Sequence, residues 1–217
     1  MSKSKNFILK GLQKVRRVIN DKYIFYRRIA IVLYDIEHYI KENEVDRDTS
    51  EYVMRRIKIV DEDTENKLNN ALRKVDFRPL PFDVEEARER LRNNYRFVVI
   101  EHGGEFVGWT WDAVDFIYIP ELEETIKLND REAFSYNTYI QKDYRNKGLN
   151  KLMLHGKVSY LHDEHFTKEW GHIWRWNVPS LISFTHMGWK IVGTYHYFKF
   201  FFIKIRYRSY NKAECGI

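Results

Sequence analysis

The segment from residue 136 to residue 150, YNTYIQKDYRNKGLN, constrains the fold of this chain more than any other part of the sequence. It begins with a β-prone run, continues through a polar turn, and changes to a helical pattern after Gly148. The first N–H groups of a helix have no partner within it, and together with the helix dipole they form a site for a phosphate group. Gly148 lets the backbone approach that phosphate closely, while Arg145 and Lys147 supply positive charge beside it. The sequence therefore predicts a strand, an anion-binding turn and a helix in direct succession.

The residues after this turn predict a helix, a strand, a second helix and a long β-rich end. The first helix has one apolar face, formed by Leu149, Leu152, Met153, Gly156 and Tyr160. A short strand over 173–176 follows, so the two strands are expected to be parallel and joined by a crossover helix. Pro179 opens the second helix and Gly188 closes it. The end of the β-rich stretch has one basic face, with Lys204, Arg206 and Arg208 in alternation.

The upstream half predicts strands over 23–33 and 52–60, two capped helices and an antiparallel hairpin. Residues 61–64, Asp-Glu-Asp-Thr, place acids and a capping residue ahead of the first helix, Asp83 caps the second, and Gly103-Gly104 separates two β-rich runs. Residues 115–132 are acidic and irregular, which indicates an excursion near a substrate site or a surface loop. We expect a basic N-terminal extension over 1–50, an amphipathic helix plus a strand, that packs on a main domain over 51–217.

The formal net charge of +6 favours anionic partners, but acyl-CoA, nucleic acid and anionic lipid all qualify. The single cysteine, Cys215, cannot form an internal disulfide, which fits a reducing compartment. No run of about 18 apolar residues occurs and the N-terminus lacks a signal-peptide pattern, so we expect a cytoplasmic protein. The histidines match no zinc signature, and no metal is expected.

The element order and two motifs resemble the GNAT superfamily of N-acetyltransferases, most closely over residues 133–193. The family's pyrophosphate turn reads Gln/Arg-x-x-Gly-x-Gly/Ala, and residues 145–150 read Arg-Asn-Lys-Gly-Leu-Asn. About one crossover helix later the family has an Asn, a small residue, an aromatic residue and a Gly-aromatic pair; here these are Asn177, Ser180, Phe184 and Gly188-Trp189. The resemblance implies an α+β fold of three layers. Its central twisted sheet is mixed but mostly antiparallel, contains one splayed parallel strand pair, and is flanked by helices.

The same resemblance implies a co-substrate, acetyl-CoA or another acyl-CoA, whose pantetheine arm would pair with backbone groups near Tyr139. The implied donor-binding residues are Tyr139, Ile140, Gln141, Arg145, Asn146, Lys147, Gly148, Leu149, Asn150, Lys151, Asn177, Ser180 and Phe184. Two of these depart from the family pattern. Asn150 stands where Gly or Ala is usual, and Phe184 stands where many members have a tyrosine that protonates the leaving thiolate.

The resemblance further implies an acyl-CoA-dependent N-acyltransferase, most simply an acetyltransferase, that acts by direct transfer on a primary amine of a small molecule such as an amino sugar. Such a reaction needs a base for the amine, and the candidates are Tyr136, Tyr139, His172, Glu101 and Asp112. Since side chains alternate along a strand, Tyr136 and Tyr139 are expected to face opposite sides. Three indoles could stack on a substrate, although core packing explains them equally well: Trp109, Trp111 and Trp174.

Other functions and partners remain open on the sequence alone. Phe184, and the lack of a carboxylate within 133–140, favour a module of the same fold that binds acyl-CoA without catalysis. An acyl carrier protein could be the donor and dock on the basic N-terminal segment and C-terminal strand. The basic N-terminus could also meet an anionic membrane surface, and a second copy of the chain is a further candidate partner. Nucleic-acid binding rests on net charge alone, without a recognised motif, and is not expected.

Overall fold

The computed structural model describes residues 24–42, 51–77, 79–120 and 122–210. The predicted amphipathic helix and Cys215 lie outside these residues. The elements in chain order are β1 (Ile24–Asp35), α1 (Ile36–Glu42), β2 (Val53–Ile57), α2 (Glu62–Arg73), α3 (Val84–Arg92), β3 (Arg96–His102), β4 (Glu105–Ala113), β5 (Phe116–Ile119), β6 (Glu124–Lys127), β7 (Glu132–Ile140), α4 (Leu149–Asp163), β8 (Lys168–Trp174), α5 (Val178–His186), β9 (Lys190–Phe200) and β10 (Ile203–Tyr210). A short 3-10 turn, Lys142–Tyr144, lies between β7 and α4.

Eight of the strands form one sheet in the order β10-β9-β1-β8-β7-β4-β3-β2, and β5 and β6 form a separate hairpin. Every neighbouring pair in the large sheet is antiparallel except β7 and β8, which are parallel. The mixed, mostly antiparallel sheet with one parallel pair is therefore confirmed. The crossover between the parallel strands is α4, as the strand–helix–strand pattern predicts, but β8 lies at 168–174 and not at the predicted 173–176.

Helices and the β5–β6 hairpin cover both faces of the sheet. The front face, which carries Trp109 and Trp111, packs against α2 and α3 through residues such as Leu68 and Ala87. The hairpin covers the other half of this face, against Ile29, Phe134 and Tyr195 among others. The back face packs against α4 on one side and against α1, α4 and α5 on the other. Two layers of covering elements thus enclose the sheet, which confirms the three-layer prediction.

Local signals place the ends of several elements where the sequence predicts them. The Asp61 carboxylate accepts the Thr64 N–H at 2.9 Å, and the Asp83 carboxylate accepts the Glu86 N–H at 2.8 Å. Each aspartate satisfies an N–H group that its helix leaves without a partner. Gly103 and Gly104 turn the β3–β4 hairpin with φ angles of 58° and 82°. Left-handed backbone of this kind is open to glycine at no steric cost.

The N-terminal strand lies inside the sheet. β1 pairs with β8 on one side and with β9 on the other, so it is an interior strand flanked by two neighbours. The strand predicted over 23–33 is therefore confirmed, and it contributes Ile29 and Ala30, both 0% exposed, to the core. The division of the chain at residue 50 stays a prediction.

A β-bulge in β7 changes which side chains share a face. Trp109 pairs with Tyr139 and Trp111 with Tyr136, so two β7 residues stand opposite Thr110. Asn137, one of these two, has a φ of 50°. The extra residue places Tyr136 and Tyr139 on the front face together, where both pack with Trp109 and Trp111. The expectation that they face opposite sides was wrong because it assumed an unbroken strand.

Residues 115–132 are more regular than predicted, because β5 and β6 pair over four residue pairs. Glu123 and Glu124, at the turn of this hairpin, pair with the basic side chains of β9 and β10. No helix in the described part of the chain is long and apolar enough to cross a membrane.

Candidate functional site

The parallel strands β7 and β8 separate halfway along their length. Their ladder runs from the pair Glu132–Lys168 to the pair Ser135–Gly171 and does not continue. Beyond it β7 stays with β4, and β8 stays with β1. An opening therefore begins after Ser135 and Gly171, in the middle of the sheet. This is the splayed pair that the resemblance implies.

A buried ion cluster on the back face lies at the point where the strands separate. Lys157 of α4 donates to the Ser135 hydroxyl at 3.0 Å and to Glu169, and its Nζ lies 3.7 Å from Oδ1 of Asp112. Burial raises the pKa of Asp112 well above its usual value. Burial alone would lower the pKa of Lys157, but Glu169 and Asp112 outweigh it, so that pKa is raised. Sequence reasoning missed Lys157, since nothing local marks a lysine as buried.

The turn between β7 and α4 is exposed and presents backbone N–H groups. Gly148 precedes α4 with a φ of 77°, and its carbonyl accepts the N–H groups of Lys151 and Leu152 at 2.9 and 3.2 Å. Asn146 is also left-handed, with a φ of 62°. Within the part of the chain that the structure describes, no acceptor is found for the backbone N–H groups of residues 146–150. These donors, at the positive end of α4, form the geometry that binds an anion.

Asp76 holds Arg145 in place beside this turn. The guanidinium of Arg145 donates twice to the Asp76 carboxylate, at 2.9 and 3.0 Å, and once to the Ile140 carbonyl at 3.0 Å. The Tyr139 hydroxyl donates to the same carboxylate at 2.9 Å. The hydrogen bonds from Arg145 and from Tyr139 hold the pKa of Asp76 below its usual value. Arg145 therefore ties the turn to the segment between α2 and α3, while the side chain of Lys147 lies in solvent over the ring of Tyr144.

The predicted donor residues on α5 lie across the opening from those on α4. The Asn177 side chain accepts the Ser180 N–H at 3.4 Å and so caps α5, and the Asn150 amide donates to Ser183 at 3.4 Å. A narrow cleft on this side is lined by Thr138, Asn150, Met153, Leu154, Lys157, Phe184 and Met187. The structure thus brings β7, the start of α4 and α5 around one opening. Thr138, Met153 and Met187 are additions that no sequence motif marks.

Of the five candidate bases, Tyr136 and His172 lie beside the opening on the front face. Tyr136 and His172 are the first residues of β7 and β8 after the ladder ends. The guanidinium of Arg90 lies 4.8 Å from the centre of the Tyr136 ring, and the rings of His172 and Phe134 are 5.7 Å apart. Tyr139 is bonded to Asp76 and packed against Trp109, with a centroid distance of 4.8 Å.

The predicted substrate tryptophans differ in exposure. Trp109 and Trp111 are both 0% exposed, and Trp111 stacks on Phe97 at a centroid distance of 4.0 Å. They lie under α2 and α3 and present no surface to a ligand, so their burial supports core packing instead. Trp174 is half-buried on β8 and remains a candidate wall, with Trp176 6.0 Å away and exposed. Among the described residues there is no group of three or more His, Cys, Asp or Glu side chains that could hold a metal ion.

Comparison with solved structures identifies the fold. A protein from Novosphingobium aromaticivorans assigned to the GNAT family of acetyltransferases superposes with a TM-score of 0.53 at 10% identity, over 81% of this chain and 64% of that one. A tandem GNAT protein from the clavulanic acid biosynthesis pathway gives a TM-score of 0.51 at 11% identity, over 78% and 52%. A Drosophila protein gives 0.56 at 12%, over 88% and 58%.

The chain therefore has the GNAT fold, as the motifs predict. It spans between 52% and 64% of the length of these three structures. No protein-family model matches the sequence, and no curated protein matches it.

Proposed function

We propose that this protein is an acyl-CoA-dependent N-acyltransferase, most simply an acetyltransferase, acting on a primary amine of a small molecule. The observation that carries the proposal is the position of the exposed turn at 145–150. It lies at the end of β7, the strand that diverges from β8 after Ser135. A diphosphate on the turn would leave a pantetheine arm next to the opening, where strand edges offer hydrogen-bonding groups.

The reaction requires one bond to form and one to break. The neutral amine attacks the thioester carbonyl carbon, the C–N bond forms, and the C–S bond breaks with its electron pair going to sulfur. The amine proton passes to a base, for which Tyr136 and His172 are the candidates beside the opening. Phe184 has no proton to give, so the thiolate takes its proton from water or from another group. A backbone N–H of β7 is the natural donor to the carbonyl oxygen.

The donor site can be tested by binding. We expect CoA to raise the melting temperature of the unmodified protein, and Gly148→Asp to abolish that rise, because a carboxylate at the helix start repels phosphate. Gly104→Asp is the matched control: Gly104 and Gly148 have φ angles of 82° and 77°, and neither has a neighbour that a Cβ would meet. Both variants therefore place a side chain at a similar left-handed φ. Equal stabilisation of both by CoA would contradict the proposed phosphate site.

A second function, acyl-CoA binding without catalysis, is favoured by two observations. Phe184 has no proton to give to the leaving thiolate, and the side chains of Tyr139 and Arg145 are both hydrogen-bonded to Asp76. Release of free thiol from acetyl-CoA in the presence of primary amines separates the two. Turnover supports the transferase, whereas stabilisation by CoA with no thiol release for any amine supports the binding module.

A further inference from the structure

The β5–β6 hairpin and the front face of the sheet border a partly open cavity of about 200 Å³. Its walls are mainly aliphatic and aromatic side chains, which include Ile29, Leu122, Ile126, Leu128, Phe134 and Trp170. A cavity of about 150 Å³ with apolar walls is large enough for benzene. The cavity therefore has room for a phenyl ring or a short alkyl chain.

Of the polar side chains around the cavity, Glu132, Tyr195 and Arg208 are bonded to neighbouring groups, and the others are Lys127 and His172. Arg208 pairs with Glu124 at 2.6 Å, and the Tyr195 hydroxyl donates to the same glutamate. The carboxylate of Glu132 accepts from the side chain of Asn129 at 2.9 Å. A sugar carries a hydroxyl on most of its carbons, and each hydroxyl buried without a partner costs roughly 1–3 kcal/mol. The lining thus disfavours an amino sugar and favours an apolar group.

The cavity lies beside the opening between β7 and β8. Phe134 and Trp170 form the ladder pair just before the last one, and both line the cavity. His172, the first β8 residue after the ladder, lines it as well. A ligand whose apolar end fills the cavity would therefore place its other end near His172, where the strands separate.

The hairpin that forms the outer wall is fastened to the sheet. Glu123 pairs with Lys199 at 2.8 Å and with Lys204, and Arg206 donates to the Leu122 and Glu123 carbonyls at 3.3 and 3.2 Å. The hydrogen bonds from Lys199 and Lys204 lower the pKa of Glu123 to about 2. These contacts hold the wall over the cavity, and they occupy the basic face of β10 that the sequence offered as a docking surface.

We propose that this cavity binds the apolar part of the acceptor, so that the substrate is an arylalkyl or alkyl primary amine. The proposal deepens the transferase function and rests on it for the fate of the bound amine. The binding step itself requires no donor, and it can be measured without CoA.

Two primary amines provide the test: 2-phenylethylamine as the apolar probe and glucosamine as the polar one. Ile126→Trp places an indole in the cavity, and Thr125→Trp adds the same indole to an exposed position of the same strand. Without CoA, we expect 2-phenylethylamine to raise the melting temperature of the unmodified protein and of Thr125→Trp, but not of Ile126→Trp. With acetyl-CoA, we expect kcat/KM for 2-phenylethylamine to exceed that for glucosamine by about tenfold or more.

The inference is overturned if glucosamine binds or reacts as well as 2-phenylethylamine, or if Ile126→Trp binds the apolar probe normally. Should Ile126→Trp not fold, the comparison of the two amines on the unmodified protein decides the matter alone. If the protein binds 2-phenylethylamine but neither binds nor consumes acetyl-CoA, the proposed cavity site stands and the proposed transferase function is wrong.

Discussion

At the scale of single residues, Lys157 shows how one side chain can support the opening on which the site depends. It is 3% exposed, and Asp112 and Glu169 beside it are each 0% exposed. The Lys157 ammonium donates to the hydroxyl of Ser135, which belongs to the last residue pair of the β7–β8 ladder. Two carboxyl groups share one ammonium here, and burial raises the pKa of Asp112, so a proton on Asp112 leaves the cluster electrically balanced.

We expect Lys157→Met to lower the free energy of unfolding by about 3–5 kcal/mol, because it leaves two buried carboxyl groups without their cation. The matched variant combines Lys157→Met with Asp112→Asn and Glu169→Gln, which removes every charge from the cluster. This triple variant should regain much of the lost free energy of unfolding. Urea unfolding at neutral pH measures both. A single variant as stable as the unmodified protein would show that the ion cluster contributes little.

At the scale of one element, the bulge in β7 decides which side chains reach the front of the opening. Asn137 takes the left-handed conformation and donates from its side-chain amide to the Pro81 carbonyl at 3.1 Å. Asparagine adopts this conformation more readily than most residues, and β-branched residues adopt it least. The bulge also brings Tyr139 to the front face, which Tyr136 shares with the cavity.

Asn137→Val should destabilise the protein by about 1–2 kcal/mol more than Asn137→Gly, because only valine strains the backbone at this φ. Both variants lose the bond to Pro81, so that bond does not contribute to the difference between them. Chemical denaturation of the two variants side by side gives that difference. Equal stability would mean that the bulge relaxes at little cost when its residue changes.

At the scale of the whole molecule, the sheet is continuous only because β1 joins its two halves. β1 pairs with β8 over seven residue pairs and with β9 over ten. Without β1, β9 and β10 would have no partner in the remaining sheet, and β8 would keep only the short ladder to β7. Each exposed strand edge would leave a row of N–H and C=O groups without partners.

A chain that starts at residue 51 is therefore expected to lose cooperative unfolding and to expose apolar surface. A chain that starts at residue 22 retains β1 and is the control. Thermal unfolding followed by circular dichroism, with binding of a hydrophobic dye, compares the two. Cooperative unfolding of the shorter chain at the temperature of the longer one would instead support a domain boundary at residue 50.

The sequence by itself determined the features that depend on near neighbours. The caps at Asp61 and Asp83, the Gly103-Gly104 turn and the strand–turn–helix unit around Gly148 each rest on hydrogen bonds or backbone angles within a few residues. Their signals are therefore present in short stretches of sequence, and the parallel pair with its crossover helix follows from their order.

Only the tertiary structure decided which distant groups meet. The place of β1 between β8 and β9, the bond between Asp76 and Arg145, the burial of Lys157 and the cavity under the hairpin all join residues far apart in the chain. The bulge at Asn137 belongs with them, because the register of a strand is set by its partners. Such contacts depend on the free energy of strand pairing and side-chain burial summed over the whole fold. They therefore cannot be predicted from any short stretch of sequence.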